Sequence, residues 1–148
     1  QDDGGSVMVF NSSFEKDVTR DLAIFDSEFL VTAKMIISRL WDLQDVFQAR
    51  HVYFRQFLSG WGLKKITDVY FPENYYESEH VSDGVDAFVG YLKFHRGELT
   101  SSEEKLFFDG LRRYNALDTI IPLLVCKILH QKCGMDIPAY KNLSIESI

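Results

Sequence analysis

Apolar residues at the start of the chain are spaced first as in a strand and then as in a helix. Val7-Met8-Val9-Phe10 is a continuous apolar run, which predicts a short buried strand. From Ser13 to Ile24 the spacing is helical, because apolar residues recur every fourth position and so share one face of a helix. That apolar stripe consists of Phe14, Val18 and Leu22.

The rest of the chain is predicted to be mainly helical, with turns marked by glycine and proline. The expected elements are a helix from Asp26 or Ser27 to about Leu40, a strand or extended loop from Val46 to Leu58, a turn at Ser59-Gly60-Trp61-Gly62, a short helix from Leu63 to Val69, a loop from Pro72 to Ser82 and a helix from Asp83 to Phe94.

A long helix is predicted for the last third of the chain. Ser101-x-x-Glu104 has the pattern of a capping box, in which two side chains satisfy the free N–H groups of a helix start. Pro122 is expected to kink this helix, because its ring clashes with the carbonyl of residue 118. Gly134 fits a stop after Lys132. Residues from 136 onward are expected to form a peripheral tail.

Composition indicates one globular domain, residues 1–148, rather than a membrane protein. The chain has 148 residues, 46% of them hydrophobic, and no segment of 18 consecutive apolar residues. A net charge of −6 argues against binding nucleic acid by bulk charge alone. Cys126 and Cys133 lie too far apart along a helix for a disulfide, and we expect both to be buried, reduced thiols of a cytoplasmic protein.

Tyr114-Asn115-Ala116-Leu117-Asp118 carries the most informative pair of polar residues. Positions four apart on a helix share a face, so the phenol of Tyr114 and the carboxylate of Asp118 should point into one space. A carboxylate can hold a divalent cation, and a nearby tyrosine can orient the water that attacks a phosphodiester. The alternative is structural, with Asp118 facing solvent and Tyr114 in the core.

Five segments, in this order, resemble motifs of the DnaQ-like (DEDD) 3′–5′ exonucleases that have a tyrosine in their third motif. They are Asn11-Ser12-Ser13-Phe14-Glu15, Trp41-Asp42-Leu43, Ser59-Gly60-Trp61-Gly62-Leu63-Lys64-Lys65-Ile66, Ser82-Asp83-Gly84-Val85-Asp86-Ala87 and Tyr114 with Asp118. The chain looks most similar to an uncharacterised bacterial domain family, of the type found in mollicutes, that is related to RNase H-like exonucleases. The fold this implies is α/β and RNase H-like, here a helix-rich portion with a partial sheet.

The resemblance implies phosphodiester hydrolysis at a nucleic-acid 3′ end with Mg²⁺ or Mn²⁺. Glu15 and Asp118 would hold the metal, and Tyr114 would position the water. Asn11 would shape the site and Phe14 would anchor the helix start. Asp42 and Lys64 are the further candidates for substrate binding. Arginines and lysines, Lys64 among them, can line a groove for phosphates, although such charges are usually solvated.

Two departures from the exonuclease pattern predict weak or absent activity. The second motif ends in Glu15 where the family has aspartate, and the first motif, Asp-x-Glu on an earlier strand, is missing. Asp26-Ser27-Glu28 has the right letters in the wrong order and is better explained as a helix cap. The chain is therefore expected to be the C-terminal part of such a domain, with an exposed sheet edge that could form a homodimer.

Structural roles compete with the proposed ones at two carboxylates. Ser12-x-x-Glu15 is itself a capping-box pattern, so Glu15 could close the start of its helix. Asp42 is expected to hold backbone groups at a turn rather than to bind metal. The alternative function is a non-catalytic helical interaction module that keeps the nuclease architecture without its chemistry.

Overall fold

The computed structural model describes residues 4–72 and 81–135, and the chain folds as two compact units, Gln1–Gly62 and Leu63–Ile148. The described residues are mainly helical and include a parallel sheet of two strands. The chain is therefore of the α/β class. The predicted tail from residue 136 and most of the predicted loop from Pro72 to Ser82 lie outside the described residues.

The first unit is built on a parallel strand pair joined by a helical crossover. Its elements are β1 (Val7–Val9), α1 (Ser12–Phe25), a 3-10 turn (Ser27–Phe29), α2 (Leu30–Ser38), β2 (Leu40–Asp42), α3 (Leu43–Gln48) and a second 3-10 turn (Arg55–Ser59). Val7 of β1 lies opposite Leu40 of β2, and Val9 lies opposite Asp42. This register places Asp42 at the carboxyl end of the sheet, where α1 begins.

The strand at the start of the chain is confirmed, but its predicted burial is wrong. All three residues of β1 are half-buried. Among the described residues β1 pairs with β2 alone, so the strand lacks the neighbours that would bury both its faces.

The prediction of a strand or extended loop from Val46 to Leu58 is also wrong. Residues up to Gln48 belong to α3, and the 3-10 turn begins at Arg55. The aromatic and β-branched residues suggested a strand, but tertiary packing prevails over that local preference. Leu43 and Phe47, four apart in α3, are fully buried.

The described residues of the second unit form three helices, all near their predicted positions: α4 (Leu63–Tyr70), α5 (Gly84–His95) and α6 (Ser101–Lys132). The capping box of α6 lies one residue earlier than predicted, between Thr100 and Glu103. Gly134 adopts the left-handed conformation after the helix, as its predicted role as a stop requires. The α6 helix continues through Pro122, which is buried.

The core of the second unit lies along α6. Its buried apolar residues are Ile66, Val81, Phe107, Leu117, Ile121, Leu124, Val125 and Cys126. Helix α5 packs on α6 through Gly90, since a methyl group at this position would overlap the ring of Phe107. Cys126 is buried as predicted, whereas Cys133 is exposed, which corrects the prediction for that thiol.

The apolar stripe of α1 lies on the surface of the described part of the chain. Phe14, Val18 and Leu22 are all exposed, and Ile24 and Phe25 at the end of the helix are even more so. None of the described helices is both long enough and apolar enough to cross a membrane.

Candidate functional site

Asp42 ties the end of β2 to the starts of two helices. One carboxylate oxygen accepts hydrogen bonds from the backbone N–H groups of Asn11, at 3.1 Å, and Gln44, at 2.9 Å. The other accepts from the N–H of Ser12 at 2.7 Å. Burial raises the pKa of the Asp42 carboxyl, but these hydrogen bonds outweigh it and leave the pKa below its ordinary value. The prediction that Asp42 holds backbone groups is confirmed.

Glu15 does not form the capping box that its spacing from Ser12 allows. The N-cap of α1 is Asn11, in the left-handed conformation, and its side chain makes no capping bond. The N–H of Ser12 is already bound by Asp42. Asp42, thirty residues further along the chain, therefore replaces a local cap at the start of α1.

The carboxyl group of Glu15 is half-buried, and its Oε2 is buried without a hydrogen-bond partner in the described chain. Burial raises the pKa of this carboxyl, a bond from its own backbone N–H opposes the rise, and the negative charge of Asp42 adds to it. A buried oxygen that accepts no hydrogen bond is costly. Glu15 thus presents one free acceptor beside a second negative charge at the carboxyl end of the parallel strands.

Of these two carboxylates, Glu15 is the one that has an oxygen to offer a cation. Asp42 uses three acceptor positions on backbone N–H groups and a fourth on the side chain of Ser12, whereas one oxygen of Glu15 has no partner in the described chain. Mg²⁺ accepts one or two carboxylates and fills its remaining positions with water. Within residues 4–72 and 81–135, His, Cys, Asp and Glu side chains form no group of three or more that could hold a metal.

Tyr114 and Asp118 meet on one face of α6, as their spacing predicts. The phenol hydrogen-bonds to the carboxylate of Asp118. Burial, followed by the charge of Asp118 and this hydrogen bond, raises the pKa of Tyr114 to about 12, and Asp83 adds a smaller rise. The phenol therefore keeps its proton throughout the neutral range.

Asp83 is a neighbour of Tyr114 that the sequence did not assign to the site. Its carboxylate caps α5 by accepting from the N–H groups of Val85 and Asp86. Its charge reaches Tyr114. The signal was present in the Asp-Gly-x-x-Ala segment, which the resemblance placed before the third motif without giving its aspartate a role.

The remaining predicted site residues are Asn11, Phe14 and Lys64. Asn11 turns the chain into α1 and donates its N–H to Asp42. Phe14 is 65% exposed, so its ring is not packed at the helix start. Lys64, in the second unit, donates from Nζ to the carbonyl oxygen of Ser82 at 2.6 Å. A phosphate contact by Lys64 would compete with that bond.

Comparison with known proteins gives one partial match. A sequence profile for a domain of unknown function (DUF2779) matches residues 1–61. No curated protein and no solved structure matches the chain. The matched segment contains Asn11, Glu15 and Asp42, and it ends before Tyr114 and Asp118.

Proposed function

We propose that this chain is an exonuclease-type, RNase H-like domain that acts on nucleic-acid 3′ ends through a divalent metal and has little or no activity by itself. The observation that carries the proposal is the unpartnered Oε2 of Glu15 beside Asp42. It lies where β2 ends and α1 begins. In parallel sheets this carboxyl edge is the usual position of ligands.

In this proposal Glu15 of the first unit is a ligand for Mg²⁺ or Mn²⁺, and Asp118 of the second unit is likewise a candidate metal ligand. The metal, when bound, lowers the pKa of a water and stabilises charge on the phosphate. Tyr114 acts as a positioning group rather than a base, because its pKa of about 12 keeps the phenol protonated. Its O–H is directed to Asp118.

The same geometry accounts for low activity. The acceptor positions of Asp42 are occupied by hydrogen bonds from backbone N–H groups and the Ser12 side chain, so it adds little to a metal site. Glu15 replaces the shorter aspartate of the exonuclease pattern, and a displaced carboxylate can cost a large factor in rate. Two carboxylates are fewer than a pair of metal ions requires.

The test is cleavage of a 3′-labelled single strand in Mn²⁺ by the wild-type chain, Asp118→Ala and Asp109→Ala. Asp109 is an exposed acid on the same helix and serves as the matched control. We expect slow release or none, with any release lost in Asp118→Ala alone. Rapid cleavage would contradict the predicted low activity, and cleavage that survives Asp118→Ala would contradict the site.

The second candidate function is a non-catalytic interaction module derived from the same architecture. It is favoured by the exposed stripe of Phe14, Val18 and Leu22, since soluble proteins seldom expose contiguous apolar patches without a function. The strand pair offers an edge for a homodimer. The reduced thiols of Cys126 and Cys133 fit a reducing, cytoplasmic setting. Absence of Mn²⁺ binding would favour this candidate.

A further inference from the structure

An aromatic cavity in the first unit lies outside the predicted site. It has a volume of about 550 Å³ and is lined by Arg50, Tyr53, Phe57, Leu58, Gly60 and Trp61. Cavities of this size bind small organic ligands, usually through apolar walls and a few polar groups.

The aromatic rings that line this cavity pack against one another and against α3. Phe57 is buried and packs edge-on against Phe47 of α3, with ring centroids 5.6 Å apart. Trp61 packs against Phe57 at 5.6 Å, and its carbonyl accepts a bond from the Gln44 side chain. Tyr53 lies against Trp61 at 6.5 Å and remains 50% exposed. An exposed ring on a fixed base can stack with a planar ligand at little cost in side-chain entropy.

Arg50 supplies the cationic group of the cavity from a strained backbone position. Its φ of 58° is in the left-handed region, which favours glycine. Arg50 follows the end of α3, where its N–H bonds to the carbonyl of Phe47 and the N–H of His51 bonds to that of Val46. This is the Schellman ending, whose left-handed residue is usually glycine. An arginine in this conformation destabilises the fold, and such strained positions cluster at functional sites.

The residues around the cavity carry positive charge, although the chain as a whole is acidic. No aspartate or glutamate occurs from Val46 to Thr67, although the net charge of the chain is −6. Within the first unit this stretch carries Arg50 and Arg55, both exposed. Arg50 makes no ion pair with any residue of the described ranges. A ligand with an aromatic plane and an anionic group matches these walls and this charge.

We propose that the cavity binds one nucleotide unit of a single-stranded nucleic acid, with the base stacked on Tyr53 and Trp61 and a phosphate on Arg50. Base stacking on aromatic side chains beside a cationic groove is how proteins hold single strands without reading their sequence. This inference rests on the proposed function, since it supplies a binding site for the strand whose end would be cleaved. It needs no metal.

The test measures binding in EDTA, which separates it from cleavage. Fluorescence polarisation of a labelled ten-nucleotide thymidine strand is recorded at low salt for the wild-type chain, Tyr53→Ala, Tyr53→Phe and Arg50→Gly. Tyr53→Ala should weaken binding about 10-fold or more through the lost stacking, whereas Tyr53→Phe should stay within about 2-fold. Arg50→Gly should bind more weakly although it unfolds at a higher urea concentration, because glycine relieves the backbone strain.

Two control variants test whether removing any exposed ring or any exposed cation weakens binding of the strand. Tyr91→Ala removes a ring of similar exposure, 48%, from α5, and Arg20→Ala removes an exposed cation from α1. Neither should change binding by more than about 2-fold. Equal loss in Tyr91→Ala and Tyr53→Ala, or unchanged binding in Arg50→Gly, would overturn the inference while leaving the metal-dependent proposal standing.

Tryptophan fluorescence reports on binding in the cavity itself. In a Trp41→Phe background Trp61 is the remaining tryptophan, and stacking should quench its fluorescence. Quenching by the strand and by thymidine 5′-monophosphate supports a site for one base with its phosphate. Quenching by the mononucleotide but not by the strand would show that the cavity binds a base and its phosphate as a free nucleotide and not as part of a strand. Binding of the strand without quenching would overturn the inference.

Discussion

The phenol of Tyr114 donates its hydrogen bond to the carboxylate of Asp118, one turn further along α6. Burial, the charge of Asp118 and this bond together raise the pKa of Tyr114 to about 12, so the phenol stays protonated. In the proposed function the protonated phenol therefore positions a water rather than removing a proton.

Asp118→Asn should lower the pKa of Tyr114 from about 12 towards the ordinary value, because it removes the adjacent negative charge. Burial remains in the variant, so part of the rise should persist. NMR titration of tyrosine labelled at the ring carbon bearing the hydroxyl measures this, with Tyr114→Phe identifying the signal. An unchanged titration in Asp118→Asn would show that the two groups do not interact.

Asp42→Ala should destabilise the first unit by about 2 kcal/mol or more, because three backbone N–H groups at two helix starts lose their acceptor. Asp42→Asn should lie between this variant and wild type, since it keeps one acceptor oxygen. Urea unfolding gives the values. The exposed Asp45 in α3 is the control, and Asp45→Ala should cost less than about 1 kcal/mol. Equal losses would contradict the tethering role.

Glu15→Gln should stabilise the protein at pH 7 by up to about 1 kcal/mol after solvent screening. Folding raises the pKa of the Glu15 carboxyl from its ordinary value of 4.5. The stabilisation that Glu15 contributes to the folded state is therefore full below pH 4.5 and is lost as pH rises through the folded pKa. The gain should therefore fade on acidification. Urea unfolding from pH 4 to 7 measures it, with Asp21→Asn on the same helix as control. A variant less stable than wild type at pH 7 would contradict the burial cost.

Gly90→Ala should destabilise the second unit by about 1–3 kcal/mol, because its methyl group overlaps the ring of Phe107. Gly84→Ala in the same helix meets open space and should leave stability within about 0.5 kcal/mol. Thermal unfolding compares the two. Combining Gly90→Ala with Phe107→Leu should recover part of the loss, and a purely additive double variant would argue against this contact.

The sequence predicted the positions of the helices better than it predicted which of their faces are buried. Regular apolar spacing located α1, turn residues bounded α4 and α5, and a capping pattern with a glycine stop located α6, because each of these signals is local in the sequence. It could not show that the stripe containing Phe14 stays exposed, because burial depends on which other elements pack there.

Features that depend on distant residues escaped prediction for the same reason. The helix start at Ser12 has a local capping pattern, yet Asp42 supplies the cap from the neighbouring strand. Pairing of β2 with β1 could not be read from the sequence around Leu40, which continues a helical pattern. In contrast, the contact of Tyr114 with Asp118 lies within one helix, and its spacing was sufficient to predict it.

The most direct test of the exonuclease-type proposal is paramagnetic broadening of ¹⁵N NMR signals by added Mn²⁺. The proposal predicts that Mn²⁺ broadens the signals of the first turn of α1, around Glu15, and those of the turn of α6 around Asp118. The first effect should be lost in Glu15→Gln and the second in Asp118→Asn, and both should be retained in Asp109→Asn. Absence of broadening around either residue, or broadening that survives the variant at that residue, would contradict the proposed metal ligands.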